Sequence, residues 1–437
     1  MTIIYDPHHP LYLAEADTRK ELARVFDLCH GCRLCFKFCP TFPTLFDYID
    51  QHDDQDSGKM TPAEQDHVVD ECFQCKLCYV NCPYTPELHE WALDFPRLML
   101  RADAMRRANG QVSIRNKVTT ALLGRTDALG KVATSTGGII NVVLSAKPGS
   151  VLRKVVELTS GVSSKRLLPP FARTRFSTWF KRRPKVDLLK SQGQVAVFPT
   201  CLVEYQAPSI GHDLVKVYER NGIECTLADG VTCCGAPFLH SGDMQQFTKV
   251  AAKNVAALAA EVRQGHDIVV PQPTCSYVLK KDYLDYVGGP DAQLVADNTY
   301  DASEYLMKLH KTDGLSLDIE FNGEIPDTIT YHAPCHLRAQ NIGFKSRDLM
   351  KLTGAKINIV QQCSGIDGMW GLRAENAELS MPIAEKLGKM VIESAGDVVT
   401  GDCHLANTAI SEQTGLTPLH PLQILARAYG IPPEETH

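Results

Sequence analysis

The chain has 437 residues, 44% hydrophobic and 22% charged, with a formal net charge of −6. That is length for two or three domains, each with its own core, and a composition that excludes disordered and fibrous classes. The start, "MTIIYDPHHPLYLAEADTRK", lacks a basic head followed by an apolar core, and no apolar run is long enough to span a bilayer. The expected location is the cytoplasm, where 16 cysteines are metal ligands or redox groups rather than structural disulfides.

In chain order, a helical pattern, "EADTRKELARVFDL", leads into the run "CHGCRLCFKFCP" with Cys29, Cys32, Cys35 and Cys39. A spacer of helix or loop follows, then "CFQCKLCYVNCP" with Cys72, Cys75, Cys78 and Cys82. Both runs read C-x2-C-x2-C-x3-C-P, and each closes on a proline, Pro40 or Pro83, that fixes φ after the last thiol. A zinc ribbon needs only paired C-x2-C. Three cysteines plus Cys-Pro, twice, is the ligand pattern of two [4Fe–4S] clusters. In bacterial two-cluster ferredoxins the fourth cysteine of each run ligates the other cluster. The expected sets are therefore Cys29, Cys32, Cys35 and Cys82 for one cluster, and Cys72, Cys75, Cys78 and Cys39 for the second. A second helical pattern, "ELHEWALDFPRLMLRADAMRRA", follows.

Residues 97–190 carry 20 Lys and Arg against 4 Asp and Glu, while the rest of the chain carries 25 against 47. Within this basic middle, "KRLLPPFARTRFSTWFKRRPKVDLLK" interleaves charge with Phe171, Phe176, Trp179 and Phe180. Such a segment suits a solvated connection, a peripheral contact with an anionic membrane, or an acidic partner groove. Nothing beyond charge points to nucleic acid.

From 194 onward, short apolar runs alternate with helical patterns. "QVAVFPTC", "IECTLADG" and "DIVVPQPTC" read as strands, with Cys201, Cys233, Cys234 and Cys275 at or just beyond strand ends. "TITYHAPC", "KINIVQQCSGIDG" and "DVVTGDC" repeat the arrangement about 130 residues later, with Cys335, Cys363 and Cys403. Helices between strands imply parallel sheets covered on both faces, with ligands gathering beyond the carboxyl ends of the strands. Thiolates from different strands converge there, which points to a further metal site, or two. Gly235 and Gly365 are expected to let the backbone turn closely beside them. His332, His336 and His404 lie next to these thiols, either as ligands, as donors to a thiolate, or as ordinary loop histidines. Cys225 falls mid-strand and reads as a small buried hydrophobe.

Cys201, then Cys233-Cys234-Gly235, then Cys275, followed by a copy with Cys363-Ser364-Gly365, resembles the cysteine-rich CCG domain family. Two ferredoxin motifs ahead of two CCG domains is the layout of the iron–sulfur subunits of anaerobic glycerol-3-phosphate dehydrogenases, which are related to heterodisulfide reductases. "CKLCYVNCPYTPELHEWALDFPRL", "YHAPCHLRAQNIG" and "CSGIDGMWG" also resemble that type. The resemblance implies an α+β multi-domain fold: a helical ferredoxin-like domain at 1–100, a basic helical connection at 101–190, and α/β CCG domains at 191–320 and 321–437, the second degenerate. It implies an iron–sulfur electron-transfer subunit rather than a stand-alone catalyst. Such a protein joins a flavoprotein dehydrogenase to the quinone pool or another acceptor, peripherally on the inner face of the cytoplasmic membrane. No catalytic residue is assigned. The full motif ends C-x2-C, whereas Val278 and Ala406 stand here, and Ser364 replaces one of the paired cysteines. One further iron–sulfur cluster on Cys201, Cys233, Cys234 and Cys275 is expected, with Cys335, Cys363 and Cys403 as a weaker set. The alternatives are reduction of a disulfide at a CCG-bound cluster, and a redox-sensing or docking role. No GxGxxG follows a strand, so flavin and nicotinamide sites are expected on a partner.

Overall fold

The computed structural model describes residues 2–52, 54–135, 139–186, 188 and 190–434. The first hundred residues are helical. α1 (Glu15–Cys32) buries Leu22, Val25 and Phe26, and α2 (Thr41–Asp50) buries Phe42, Leu45, Phe46 and Ile49. α3 (Pro62–Asp70) starts at a capping box between Thr61 and Glu64, with proline in its first turn. α4 (Leu77–Val80) is one turn inside the second cysteine run, and α5 (Phe95–Ala108) closes the core. Two details differ from the sequence pattern. α1 runs through Cys29 and Cys32, so the first two thiols of that run lie on a helix end rather than a loop. The second helical pattern becomes helix only at Phe95, because the Asp94 side chain caps the Arg97 N–H and Pro96 sits in the first turn.

Four helices follow: α6 (Ile114–Gly124), α7 (Thr126–Ser135), α8 (Ile139–Leu144) and α9 (Val151–Ser160). Buried Arg153 donates to the carbonyls of Ser163 and Arg166, and buried Arg166 pairs with Glu412 at 3.3 Å. α10 (Phe176–Arg182) carries the aromatic run. Phe176 is fully buried and Trp179 stacks on His212 at 4.1 Å. These rings are therefore packing residues of the α/β half, not a free aromatic surface.

That half contains two parallel sheets. The first joins β1 (Gly193–Val197), β2 (Ile223–Leu227), β3 (Asp267–Val270) and β4 (Thr299–Asp301) in the order β2-β1-β3-β4. Between its strands lie α11 (Cys201–Tyr205), α12 (Pro208–Arg220), α13 (Ala236–Leu239), α14 (Met244–Arg263), α15 (Pro273–Tyr277), α16 (Tyr283–Tyr286) and α17 (Gly289–Asp297), and α18 (Ala302–Lys311) follows β4. The second sheet joins β5 (Thr328–His332), β6 (Lys356–Val360) and β7 (Val398–Gly401) in the order β6-β5-β7. Its helices are α19 (Cys335–Ala339), α20 (Lys345–Lys351), α21 (Ala377–Glu393), α22 (His404–Thr414) and α23 (Pro421–Ala428). The central strand is the first of its repeat in both sheets, flanked by the second and third. The duplication read from cysteine spacing is thus also a duplication of topology.

Candidate metal centres

The structure brings the eight ferredoxin-type thiols around two cavities. One is lined by Cys29, Cys32, Cys35 and Cys82 and the other by Cys39, Cys72, Cys75 and Cys78, with Phe42 forming a wall of both. The fourth cysteine of each run thus lies with the first three of the other. The loops that achieve this take left-handed backbone at Arg33 (φ 54°), Gln74 (φ 57°) and Lys76 (φ 63°), a local strain held by the surrounding packing.

Burial pushes the thiols of Cys35 and Cys72 up to about 12 and that of Cys39 to about 11, and raises Cys29, Cys75 and Cys78 well above the ordinary value. A buried thiolate needs a compensating cation, and grouped buried sulfurs are the donor set an iron–sulfur cluster supplies with one. Donors already point at sulfur: the Tyr84 N–H lies 3.4 Å from Cys82 Sγ and the Gln74 side-chain amide 3.6 Å from Cys72 Sγ. The residues present fit the cofactor.

In the α/β half, Cys201, Cys275 and Cys335 lie in the first turn of short helices, and Cys403 precedes the first turn of α22. All four follow directly on strand ends. Cys201 and Cys233 sulfurs are 4.0 Å apart. Hydrogen bonds from Cys201 and Cys234 hold Cys233 well below the ordinary thiol value, and the two donors are pushed up in return. Cys275 completes the group through its contact with Cys234. In the second repeat, Cys335 Sγ, Cys363 Sγ and an Asp367 oxygen all lie within 4.8 Å of one another. Cys403 stands beside them and is raised to about 12 by burial. Cys225 is buried in β2, apart from these groups, as its strand position predicts.

The Cysteine-rich domain family (CCG) matches residues 195–280 and 329–408, and the Citrate utilization protein B Fer4-like domain matches residues 19–110. The chain is a CCG-domain iron–sulfur protein. One component of the anaerobic glycerol-3-phosphate dehydrogenase of Escherichia coli K12 is 28% identical over 330 residues, covering 75% of this chain and 81% of the relative. One component of the fumarate reductase (CoM/CoB) of Methanothermobacter marburgensis is 27% identical over 249 residues, 54% of this chain and 47% of the relative. Lactate utilization protein A of Shouchella clausii is 26% identical over 218 residues, 48% of this chain and 87% of the relative. This CCG-domain iron–sulfur protein is homologous to the glycerol-3-phosphate dehydrogenase component, and its role is iron–sulfur electron transfer in an oxidoreductase system.

Several residues of this CCG-domain protein take part in ways its sequence did not announce. His336 is not available as a ligand. Its Nε2–H donates to the Gln74 carbonyl at 3.1 Å, which leaves Nδ1 to accept from the Thr274 hydroxyl at 3.1 Å. It tethers the second cysteine run to the second repeat. Trp370 does the same, donating to the Asp70 carbonyl at 2.8 Å and packing on Phe73. His332 Nε2–H donates to the Gln362 carbonyl at 2.9 Å, while its Nδ1 is buried without a hydrogen-bond partner among the described residues. His404 Nε2 is likewise buried without one. Burial lowers His332 and His404 to about 4 and His336 to about 3, so all three rings are neutral near pH 7. Gly235 (φ +90°) and Gly365 (φ +68°) both need left-handed backbone, but their crowding is against helix: an added Cβ meets Phe247 at 2.9 Å and the Ser380 carbonyl at 2.5 Å, respectively. Asp127 of α7 accepts the Cys233 N–H at 2.7 Å, binding the helical middle to the thiols.

That middle roofs a cavity of about 320 Å³. Leu122, Leu123, Leu129 and Leu144 line one side, and Cys201, Cys233, Cys234, Cys275 and Cys403 the other. No Asp, Glu, Lys or Arg lines it among the described residues. His240 Nε2 and Gln272 Nε2, both on its wall, are buried without hydrogen-bond partners among those residues. No helix among the described residues is long and apolar enough to cross a membrane.

Proposed function

We propose that this protein is the electron-transfer subunit of an oxidoreductase complex, taking electrons from a partner flavoprotein dehydrogenase of the glycerol-3-phosphate or another 2-hydroxy-acid type. In this reading Cys29, Cys32, Cys35 and Cys82 hold one [4Fe–4S] cluster, and Cys39, Cys72, Cys75 and Cys78 the second. Cys201, Cys233, Cys234 and Cys275 hold a further iron–sulfur cluster. Such clusters, when bound, supply one-electron transfer. The chain's own residues supply thiolates, N–H donors to sulfur and exclusion of water.

One observation carries the reading: the thiol sites follow one another without a gap. Phe42 is common to the first two cavities. Cys75 of the second lies in the electrostatic reach of Cys335 and Asp367. Thr274, Gly368, Cys403 and Leu405 line both the small cavity at Cys335 and the large one at Cys201. The large cavity supports a quinone as acceptor. Its lining is uncharged and mostly apolar, and two orphaned nitrogens, on His240 and Gln272, suit a carbonyl oxygen. Exposed Ile114, Val142, Val151 and Leu158 on the roofing helices, set among basic residues, support peripheral contact with an anionic membrane on its cytoplasmic side.

The test is an EPR-monitored redox titration of anaerobically purified protein. Cys32→Ser and Cys82→Ser are expected to alter one and the same cubane signal, and Cys78→Ser and Cys39→Ser the other. If Cys82→Ser alters the signal shared with Cys78, the ligand sets are wrong. If no variant of the first eight cysteines alters a signal, the relay reading fails.

A further inference from the structure

The two ferredoxin-type cavities differ in one charged group. The cavity of Cys39, Cys72, Cys75 and Cys78 has a single ionic side chain in its wall, Lys76. The cavity of Cys29, Cys32, Cys35 and Cys82 has no Asp, Glu, Lys or Arg in its wall among the described residues. We propose that the Lys76 ammonium draws electrons inward along the chain, by stabilising the reduced state of a cluster on Cys39, Cys72, Cys75 and Cys78 and so raising its reduction potential. This rests on the relay reading and deepens it, because it gives the relay a direction.

Burial makes the charge effective. Lys76 is 3% exposed, and a charge held away from solvent is screened little by salt. Its direct contacts are the Gln74 side-chain oxygen at 2.7 Å and the face of Tyr277, 5.9 Å from the ring centre. A buried ammonium that lacks a close anion is costly, and a cluster with its four thiolates supplies that anion. Four carboxylates on neighbouring elements feel the ammonium: Asp94, Asp282, Asp285 and Asp367. Asp94 and Asp285 are paired with Arg97. None of the four lines the cavity, so the charge that faces a bound cluster is the ammonium.

Two routes lead from Lys76 to the cluster. One is the field itself: an added electron makes a cluster more negative, and a neighbouring cation favours that state. The other runs through Gln74. The ammonium donates to the Gln74 oxygen, and the same amide points its nitrogen at Cys72 Sγ, 3.6 Å away. A polarised amide is the stronger donor, and donors to cluster sulfur raise the potential. The loop is held for this purpose by left-handed backbone at both residues, and by His336, which donates to the Gln74 carbonyl. Exposure alone sets the opposite order. The first cavity reaches the surface at Cys32, whereas Cys75 and Cys78 are buried, and burial disfavours the added negative charge. Lys76 offsets that penalty where it falls.

The test is an EPR-monitored redox titration of the anaerobically purified full chain, with the cubane signals assigned through Cys32→Ser and Cys78→Ser. Lys76→Met is expected to lower the midpoint potential of the cubane that Cys78 holds by at least about 59 mV, a tenfold change in its one-electron reduction constant. The other cubane shifts less. Lys76→Arg keeps the charge and shifts the same signal by less than half as much. Unchanged potentials in Lys76→Met, or equal shifts of both cubanes, overturn the inference. So does an equal fall in Lys76→Arg, which marks a packing role. Iron content is measured on every sample, and Lys76→Gln is the second neutral variant. If both neutral variants lose iron while Lys76→Arg keeps it, the ammonium holds the cluster rather than tunes it, and the inference falls. Absence of cubane signals from the unsubstituted protein is the failure of the relay reading itself. Two normal signals indifferent to Lys76 leave that reading standing and remove only this one.

Discussion

Trp370 is the most direct handle on how the ferredoxin-like part is held against the second repeat. Its indole N–H donates to the Asp70 carbonyl at 2.8 Å, and its ring lies 5.1 Å from that of Phe73, one residue after Cys72. Truncating a fully buried tryptophan costs about 3–5 kcal/mol. Trp370 is half-buried, so Trp370→Ala is expected to weaken the contact by about 2–3 kcal/mol, of which the hydrogen bond is about 1 and the aromatic pair about 1. Trp370→Phe keeps a ring on Phe73 and loses only the donor, for about 1 kcal/mol. The assay is native-state hydrogen exchange of amides in 70–78. At tenfold per ~1.4 kcal/mol, Trp370→Ala speeds exchange there by about 30- to 150-fold and Trp370→Phe by about fivefold. Unchanged exchange in Trp370→Ala, or equal effects of the two substitutions, refutes the account.

Phe42 is 2% exposed and packs on Phe95 at 4.9 Å. Phe42→Ala is expected to cost about 3–5 kcal/mol and to disturb both cubane signals, checked by anaerobic thermal melts and EPR. In the cluster-free protein burial holds Cys35 and Cys72 near 12 and Cys39 near 11. These thiols are protonated at neutral pH, and ligation expels their protons. Iron and sulfide uptake therefore strengthens as pH rises from about 6 to about 8.5, and calorimetry in buffers of different ionisation enthalpy registers the released protons. Phe176→Ala empties a fully buried site and costs about 3–5 kcal/mol, measured by thermal melts, without changing liposome binding. Val151→Asp with Leu158→Asp, both 80% exposed in the native chain, leaves stability within about 0.5 kcal/mol per substitution and releases the protein from anionic vesicles in a flotation assay.

What could be read in the sequence was what local spacing encodes. The cysteine runs, the strand ends that carry Cys201 and Cys275, and the duplicated β–α order depend on neighbours a few residues apart. The placement of Gln272 and His240 on the wall of the large cavity depends on which chain segment packs opposite, and a lone polar residue in a loop carries no periodic mark. The aromatic run 171–180 left its reading open between a connection packed on the core and a docking surface. Composition gives charge and ring count, but only packing shows that Phe176 and Trp179 are committed to α12. The roof over the large cavity was unreadable for the same reason: α6 to α9 are amphipathic helices whose buried faces match surfaces far away in the chain.

Cys403 belongs to the second repeat but lines the cavity of the first. A duplicated unit that has shed some of its ligands is usually free to drift or be deleted. Here the thinned copy has become masonry for its sibling: taking away the second repeat would open the wall of the first repeat's cavity at Cys403 and Leu405.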